Sequence, residues 1–504
     1  MSQTNPKKVL LWLDHSAYAY QNFAIGVALS NLENYDFYGI VAQKKDYEFF
    51  NQQTKLKFKK LWYYPECYIN KNNNSDLLFL SSLEKKYGLK LWLLAYSERM
   101  FYEYREHFYQ FSHDEILSII ESIAKYFIEI LEKVKPKIII MQIVGENIAN
   151  SLLYHLANHF GIKTVMLLTA RLHNTFFLSE SMFGKDFHTE YFKNKQHLDD
   201  ISQDPMELLY LKNPSETVKL ASSFVFDDTT LFEKVMRNLK KIKSDPEPLY
   251  HNRGKSNLKM LKWKVKMFFE VKKRKDFLDK KALKVIPNEN FIYFPLQAQP
   301  EATTLAHAPY FSDQLALIKN ISKSLPIDYF LYVKEHSIQS TKFWRPIEYY
   351  KEIIDMPNVK LFHPFLDSKE LISKCSLVAV ITGTPGFEAL FYKKPVLLFS
   401  NTFYDCVSMV HKFINFSELP SQITNILESP TFKINEFNAL IQTIKKTSLT
   451  INYIQIMKDA LLLSSIRRKS SIQETELQFD NFFQTHKNDL ITIAEAYRKK
   501  LLKL

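Results

Sequence analysis

The chain has 504 residues, 46% hydrophobic and 14% aromatic, with a formal net charge of +13. That length exceeds what one hydrophobic core organises, so two or more domains are expected, and the apolar content excludes a disordered chain. Cys67, Cys375 and Cys406 are odd in number, far apart and without a CxxC pair, which argues against a disulfide framework or zinc site and fits a reducing compartment.

In chain order, the opening MSQTNPKKVLLWLDHS holds an apolar run broken by Asp14 and His15, with no small-residue cleavage site, so no signal peptide is read. Nor does any window offer the ~18 uninterrupted apolar residues of a membrane span. The expectation is a cytoplasmic protein. VLLWLDHS reads as a strand, QNFAIGVALSNLE as a helix and YDFYGIVAQ as a second strand; KPKIIIMQIVG is a strand entering a helix at Glu146, and IKTVMLLTA is another strand. Residues 215–250 read as mainly helical and polar.

Most of the basicity is local. Between Arg253 and Lys284 stand 13 Lys or Arg against Glu270, Asp276 and Asp279. Within this segment Leu258, Leu261, Val265, Phe268 and Phe269 recur at helical spacing, with Trp263 and Met267 nearby, which describes a basic amphipathic helix. Two readings stand: a connector whose stripe packs on a neighbouring domain, or a helix lying on the anionic inner face of the plasma membrane. Nucleic acid is not expected as a partner, because no base-stacking platform or nucleic-acid motif accompanies the charge.

A second alternating block follows: strands in NFIYFPLQ, YFLYVKEHS, VKLFHP, LVAVITGT and PVLLFS, and helices in SDQLALIKNISKSLP, DSKELISKC and PGFEALFYKK. The tail reads as helices ending in AEAYRKKLLKL. The expected organisation is an α/β domain over 1–240, a basic helical connector over 241–288, a second α/β domain over 289–430 and C-terminal helices over 431–504. Strand–helix alternation implies two doubly wound, Rossmann-like domains, with ligands bound in a cleft between the carboxyl ends of their sheets.

Residues that can do chemistry fall at those strand ends. VITGTPGFEAL, residues 380–390, places Gly383 and Gly386 close together in a chain with only 9 glycines, where ordinary usage would give roughly 35. With Pro385 read at the first helical position and Thr384 as N-cap, the hydroxyls of Thr382 and Thr384, free backbone N–H groups and the helix dipole converge into a phosphate site. The glycines would clear the backbone for the anion or ribose, and Glu388 is placed to accept from ribose hydroxyls; the bland alternative is an ordinary capped helix with a dipole-favoured acid. In VKEHS, Lys334 and His336 lie on the same side of an extended chain and can face one ligand, although a lone histidine is more often structural. In FPLQAQPEATT, Gln297, Gln299 and Glu301 stand where the block's first strand stops, and read equally as base or sugar contacts or, for Glu301, as a loop cap. In the first domain the strand ends carry Asp14-His15-Ser16, Gly145-Glu146-Asn147 and Arg171; Glu146 is a candidate general base or simply a helix-start acid. His155 and His159 have metal-compatible spacing but no evident third ligand, so neither metal nor other cofactor is expected.

From FPLQAQPEATT through YVKEHS, PNVKLFHP and ITGTPGFEALFYKKPVLLFSNTFYD, residues 290–410 resemble bacterial capsule polysaccharide biosynthesis proteins, related to Kdo and other CMP-sugar transferases. The first domain resembles them only weakly. The resemblance implies a GT-B fold, with Lys334 and His336 in the nucleotide-phosphate motif, Thr382, Gly383 and Thr384 in the phosphate turn and Glu388 as the acid of the following helix. Ser337 stands where the family has proline, and Phe387 where it has tryptophan. It transfers no catalytic residue, so Glu146, His15 and Glu301 are candidates from position alone. The function expected is a glycosyltransferase moving a sugar from a nucleotide donor, CMP-linked and Kdo-like or sialic-acid-like, to a capsule or lipid-linked glycan acceptor. The alternatives are a CDP-polyol phosphotransferase, whose phosphate turn is usually Asp-Tyr-Ser-Ser, an epimerase that needs no acceptor, and a non-catalytic membrane-associated assembly subunit.

Overall fold

The computed structural model describes residues 6–14, 16–69, 74–102, 108–172, 174–196, 249–339 and 345–503. His15 and most of the polar segment 215–250 therefore lie outside the described residues.

Two sheets organise the chain. The first has the order β13-β6-β5-β4-β1-β2-β3. It comprises β1 (Lys7–Leu13), β2 (Tyr35–Val41), β3 (Phe58–Tyr63), β4 (Ile138–Ile140), β5 (Lys163–Thr169), β6 (Thr175–Ser179) and β13 (Leu449–Thr450). Strands β1 to β5 run parallel, while β6 and β13 add an antiparallel edge. Alternation along β1 builds two cores: Leu10 and Trp12 face the helices His113–Val134 and Ile148–His159, whereas Val9, Leu11 and Leu13 face the helix Ala17–Ser30. Burial on both faces is why these strands read as unbroken apolar runs.

The second sheet, β12-β11-β10-β7-β8-β9, is parallel throughout. Its strands are β7 (Phe291–Pro295), β8 (Phe330–Lys334), β9 (Val359–Phe362), β10 (Leu377–Val380), β11 (Val396–Leu398) and β12 (Val410–Lys412). Read from its first strand, this is the doubly wound dinucleotide-fold order, whose switch point lies between β7 and β10. The two sheets form the expected pair of Rossmann-like domains. The helix Asn257–Lys281 connects them, ending in Leu278, which is buried in the second core.

The C-terminal helices divide between the domains. Ile434–Thr447 packs on the helix Lys185–Lys195 and on the second core, with Lys195 paired to Glu436 at 3.0 Å. The last three, Tyr453–Arg467, Ile472–Thr485 and Lys487–Leu502, cross back to the first core, where Phe479 meets Phe23 at 4.8 Å between ring centroids.

Candidate active site

At the switch point of the second sheet, β7 runs into Gln297 and β10 into Thr382-Gly383. The helix that follows β10 spans Thr384–Phe391, with Gly383 as N-cap and Pro385 in the first turn. This corrects the sequence expectation of Thr384 as N-cap by one residue: Gly383 is the extended flanking residue (φ −64°, ψ 161°) and Thr384, already helical, presents an exposed hydroxyl.

The backbone N–H groups of the turn are not left open for an anion. With its carboxamide oriented to satisfy its surroundings, Gln297 accepts from the N–H of Thr382 at 2.8 Å and of Gly383 at 2.9 Å, while its nitrogen donates to the Thr382 hydroxyl at 3.2 Å. The Gln297 side chain is thus committed to the turn itself and not to a base or sugar. Gly386 also departs from expectation. A Cβ there would lie 2.6 Å from the Tyr404 hydroxyl and 2.7 Å from Val380 Cγ2, so the missing side chain permits close packing of helix on sheet and does not face a ligand. Gly383 keeps its place at the turn, where a Cβ would press on Pro385 Cδ at 3.2 Å and on the end of the Gln297 carboxamide at 3.3 Å.

Lys334, Glu335 and His336 leave the end of β8. Lys334 is buried, and that burial pushes its ammonium pKa down to about 8, opposed by the carboxylates of Glu335, Asp367 and Glu388. Burial likewise pushes His336 down to about 4, against the charge of Glu335. Its Nδ1 accepts from the backbone N–H of Ile338 at 3.2 Å, which leaves Nε2–H as the donor of the neutral ring. The Glu388 carboxylate, in the helix after β10, acts on the Lys334 ammonium, and Lys334 in turn acts on the His336 ring.

A buried frame that sequence reasoning passed over holds this strand end. Glu335, fully buried, accepts from Arg345 at 2.6 Å, from the Tyr350 hydroxyl at 2.7 Å and from the His336 N–H at 2.5 Å. Arg345 donates onward to the Gln297 carbonyl at 2.6 Å, so a single guanidinium ties the His336 strand to the loop that covers the Thr382–Thr384 turn. The available signal was a charged residue at the inward position between Lys334 and His336, which demands a partner; Arg345, ten residues on, carried no spacing signal.

The first domain reaches the same turn through Arg171, which donates to the Thr382 carbonyl at 2.8 Å and lies over the Tyr404 ring, its guanidinium carbon 5.5 Å from the centroid. Tyr404 in turn donates to the Gly383 carbonyl at 3.1 Å.

The carboxylates form a second group across the domain interface. Glu146 pairs with Arg99 at 3.0 Å. Glu301 sits at the start of the short helix Ala302–Leu305 without capping it through its side chain. Burial raises the Glu301 carboxyl pKa, Arg99 opposes the rise, and the charge of Glu146 adds to it. Glu146 does not begin a helix, as the sequence suggested: the helix starts at Ile148, and Asn147 caps it, accepting from Asn150 N–H. Asn147 also donates to Asp14 at 2.7 Å, at the switch point of the first sheet. Gly145 brings the interface together, because its φ of +99° carries the chain against Ala302 and Ala306, where a Cβ would fall 2.3 Å from that of Ala306. Its neighbour Val144 offers a carbonyl to the His307 ring at 2.8 Å.

His155 and His159 stay apart from all of this: His159 packs on Tyr87, and burial lowers the pKa of His155. Among the described residues no group of three or more His, Cys, Asp and Glu gathers in a metal-holding arrangement.

The Thr382–Thr384 turn lies within a family match, since residues 211–412 fit the model of capsule polysaccharide biosynthesis proteins. Over those residues the chain is similar to that family. No curated protein matches it. Among solved structures it is similar to KpsC of Thermosulfurimonas dismutans, a beta Kdo 2,7 transferase, at 14% identity over 69% of this chain and 90% of that one, with a TM-score of 0.31. It is also similar to UDP-GlcNAc 2-epimerase from Methanocaldococcus jannaschii, at 14% identity over 87% and 99% of the two chains and a TM-score of 0.25. The architecture described above rests on the strand orders of this chain itself.

Proposed function

We propose that the protein is a glycosyltransferase of capsule or related surface-glycan synthesis, using a nucleotide-sugar donor that is CMP-linked. The observation that carries the reading is that Lys334, at the end of β8 beside His336, feels the carboxylate of Glu388 in the helix that follows the Thr382–Thr384 turn, next to the switch point of a doubly wound sheet and in the segment that matches the capsule family. Neutral His336 donates through Nε2 to a phosphate oxygen, and Lys334 supplies the charge that stabilises the departing nucleotide phosphate. With Gln297 occupying two N–H groups of the turn, the exposed Thr384 hydroxyl and the positive end of the helix remain as the turn's contribution.

On the same domain, where it faces Arg99 and Glu146 of the first, Glu301 takes the acceptor hydroxyl's proton, since a carboxyl whose pKa is raised by burial is the stronger base, and Arg99 with Glu146 fixes the charge around it. The acceptor is thereby held where the two domains meet, and domain closure brings it into line with the donor. Two measurements test the reading. CMP should stabilise the protein against heat more than CDP, UDP, GDP or ADP, by about 2.7 kcal/mol at 100 times its dissociation constant. Glu301→Gln should retain that response while slowing transfer by about 10²–10⁴-fold. Silence from all five nucleotides, or transfer unchanged in His336→Ala/Thr384→Ala, defeats it.

A further inference from the structure

The helix Asn257–Lys281 has two apolar faces, and packing within the protein accounts for one of them. On the inner face Trp263 meets Phe108 of the first domain at 6.4 Å between rings, Val271 and Phe277 pack against the second core, and Leu278 is buried in it. The basic stripe marked in the sequence lies elsewhere. Leu258, Val265, Phe268 and Phe269 are 75%, 43%, 45% and 64% exposed. They stand at i, i+7, i+10 and i+11, so they share one side of the helix. The apolar residues marked in the sequence thus divide: Trp263 packs on the first domain and Leu261 is half-buried, while Leu258, Val265, Phe268 and Phe269 face outward.

Charge is sorted along the same stretch. From Arg253 to Phe269 the sequence carries Arg253, Lys255, Lys259, Lys262, Lys264 and Lys266 and no carboxylate, and the first acid is Glu270. Two of the three acids of the helix are engaged within the protein, Glu270 with Arg274 at 3.6 Å and Asp279 with Lys275 and His363. The exposed aromatics thus lie in the acid-free turns, flanked by exposed Lys262, Lys264 and Lys266. Among the described residues no helix is long and apolar enough to cross a membrane. An apolar strip bordered by lysines on a helix anchored from its other side is built to lie in the plane of an anionic lipid surface, with aromatics at the acyl boundary and ammonium groups at the phosphates.

We propose that Leu258–Phe269 is an interfacial membrane-binding surface selective for anionic phospholipid. The proposal does not depend on which donor the active site takes. It is tested by flotation of the full chain with vesicles of phosphatidylglycerol and phosphatidylcholine, against phosphatidylcholine alone. The protein should float with the anionic vesicles, less so at high salt, and not with the neutral ones. Phe268→Ser/Phe269→Ser and Lys262→Glu/Lys266→Glu should each weaken flotation by about tenfold or more. Both variants should melt as the parent does, since all four side chains are exposed; if the phenylalanine variant does not fold, the lysine pair carries the test. Failure of the parent to float with anionic vesicles, or undiminished flotation of the folded variants, overturns the proposal. So does a parent dimer in sedimentation that the serine variant dissolves, which would make this face a contact between two copies.

Discussion

Replacing Arg345 by leucine leaves Glu335 as a carboxylate without its hydrogen-bonded cation, in a position 0% exposed, where the arginine it loses is itself 5% exposed. Two of the three donors to that carboxylate remain, the Tyr350 hydroxyl at 2.7 Å and the His336 N–H at 2.5 Å, but neither is charged. Breaking a buried pair in this way costs about 3–5 kcal/mol, because the surviving charge keeps its desolvation penalty and loses its compensation. At roughly 2–4 °C per kcal/mol for a domain of this size, the melting temperature should fall by about 6–20 °C. The Gln297 carbonyl loses its 2.6 Å donor as well, although Gln314 still donates to it at 3.1 Å, so the loop over the phosphate turn should loosen without detaching. Nucleotide binding is expected to weaken in step, since Glu335 stands between Lys334 and His336. The check is a double-mutant cycle in urea with Glu335→Gln, Arg345→Met and the combination, where removing both charges should recover most of the stability lost by removing one. A loss below about 1 kcal/mol for Arg345→Leu, or strictly additive effects in the cycle, would refute the reasoning.

Lys334 makes the protein's response to pH specific in sign. Its folded pKa of about 8 lies below the ordinary 10.5, so between those values the unfolded chain holds more protons and stability rises with pH, fully gained only above 10.5. A bound phosphate favours the charged form, so nucleotide binding near pH 8 should take up a proton, seen as a dependence of the calorimetric heat on buffer ionisation enthalpy that Lys334→Met abolishes. Gly145→Ala combines a backbone of φ +99° with a Cβ 2.3 Å from that of Ala306, and should cost about 2–5 kcal/mol. Adding Ala306→Gly should return the part due to collision and leave the part due to backbone strain, with thermal melting as the readout; full recovery, or none, would show that one of the two terms is absent.

Two sheets, their parallel strands and the placement of Lys334, His336 and the Thr382–Thr384 turn at strand ends were legible in the chain, because period-two alternation, apolar runs and strand-to-helix junctions are local signals. The short strands β3, β6, β12 and β13 were not, since three of them hold five residues or fewer and FKKLWY in β3 alternates weakly. The motif VITGTPGFEAL forms the strand-to-helix turn after β10, but its two glycines are not alike. A glycine that admits a phosphate and a glycine that admits a neighbouring tyrosine look the same in one dimension, and Gly386 is the second kind.

What the sequence determined by itself was therefore periodicity and chemistry: which stretches form strands and helices, and which residue types stand at their ends. What only the tertiary structure decided was pairing. Gln297 closing over Thr382, Arg345 neutralising Glu335, Arg171 of the first domain on the Thr382 carbonyl, and the last three helices returning to the first core all join residues 10 to several hundred positions apart. Such contacts follow from where folded surfaces meet, and the free energy that selects them comes from burying charge and apolar area together, a property that no local window of the chain contains.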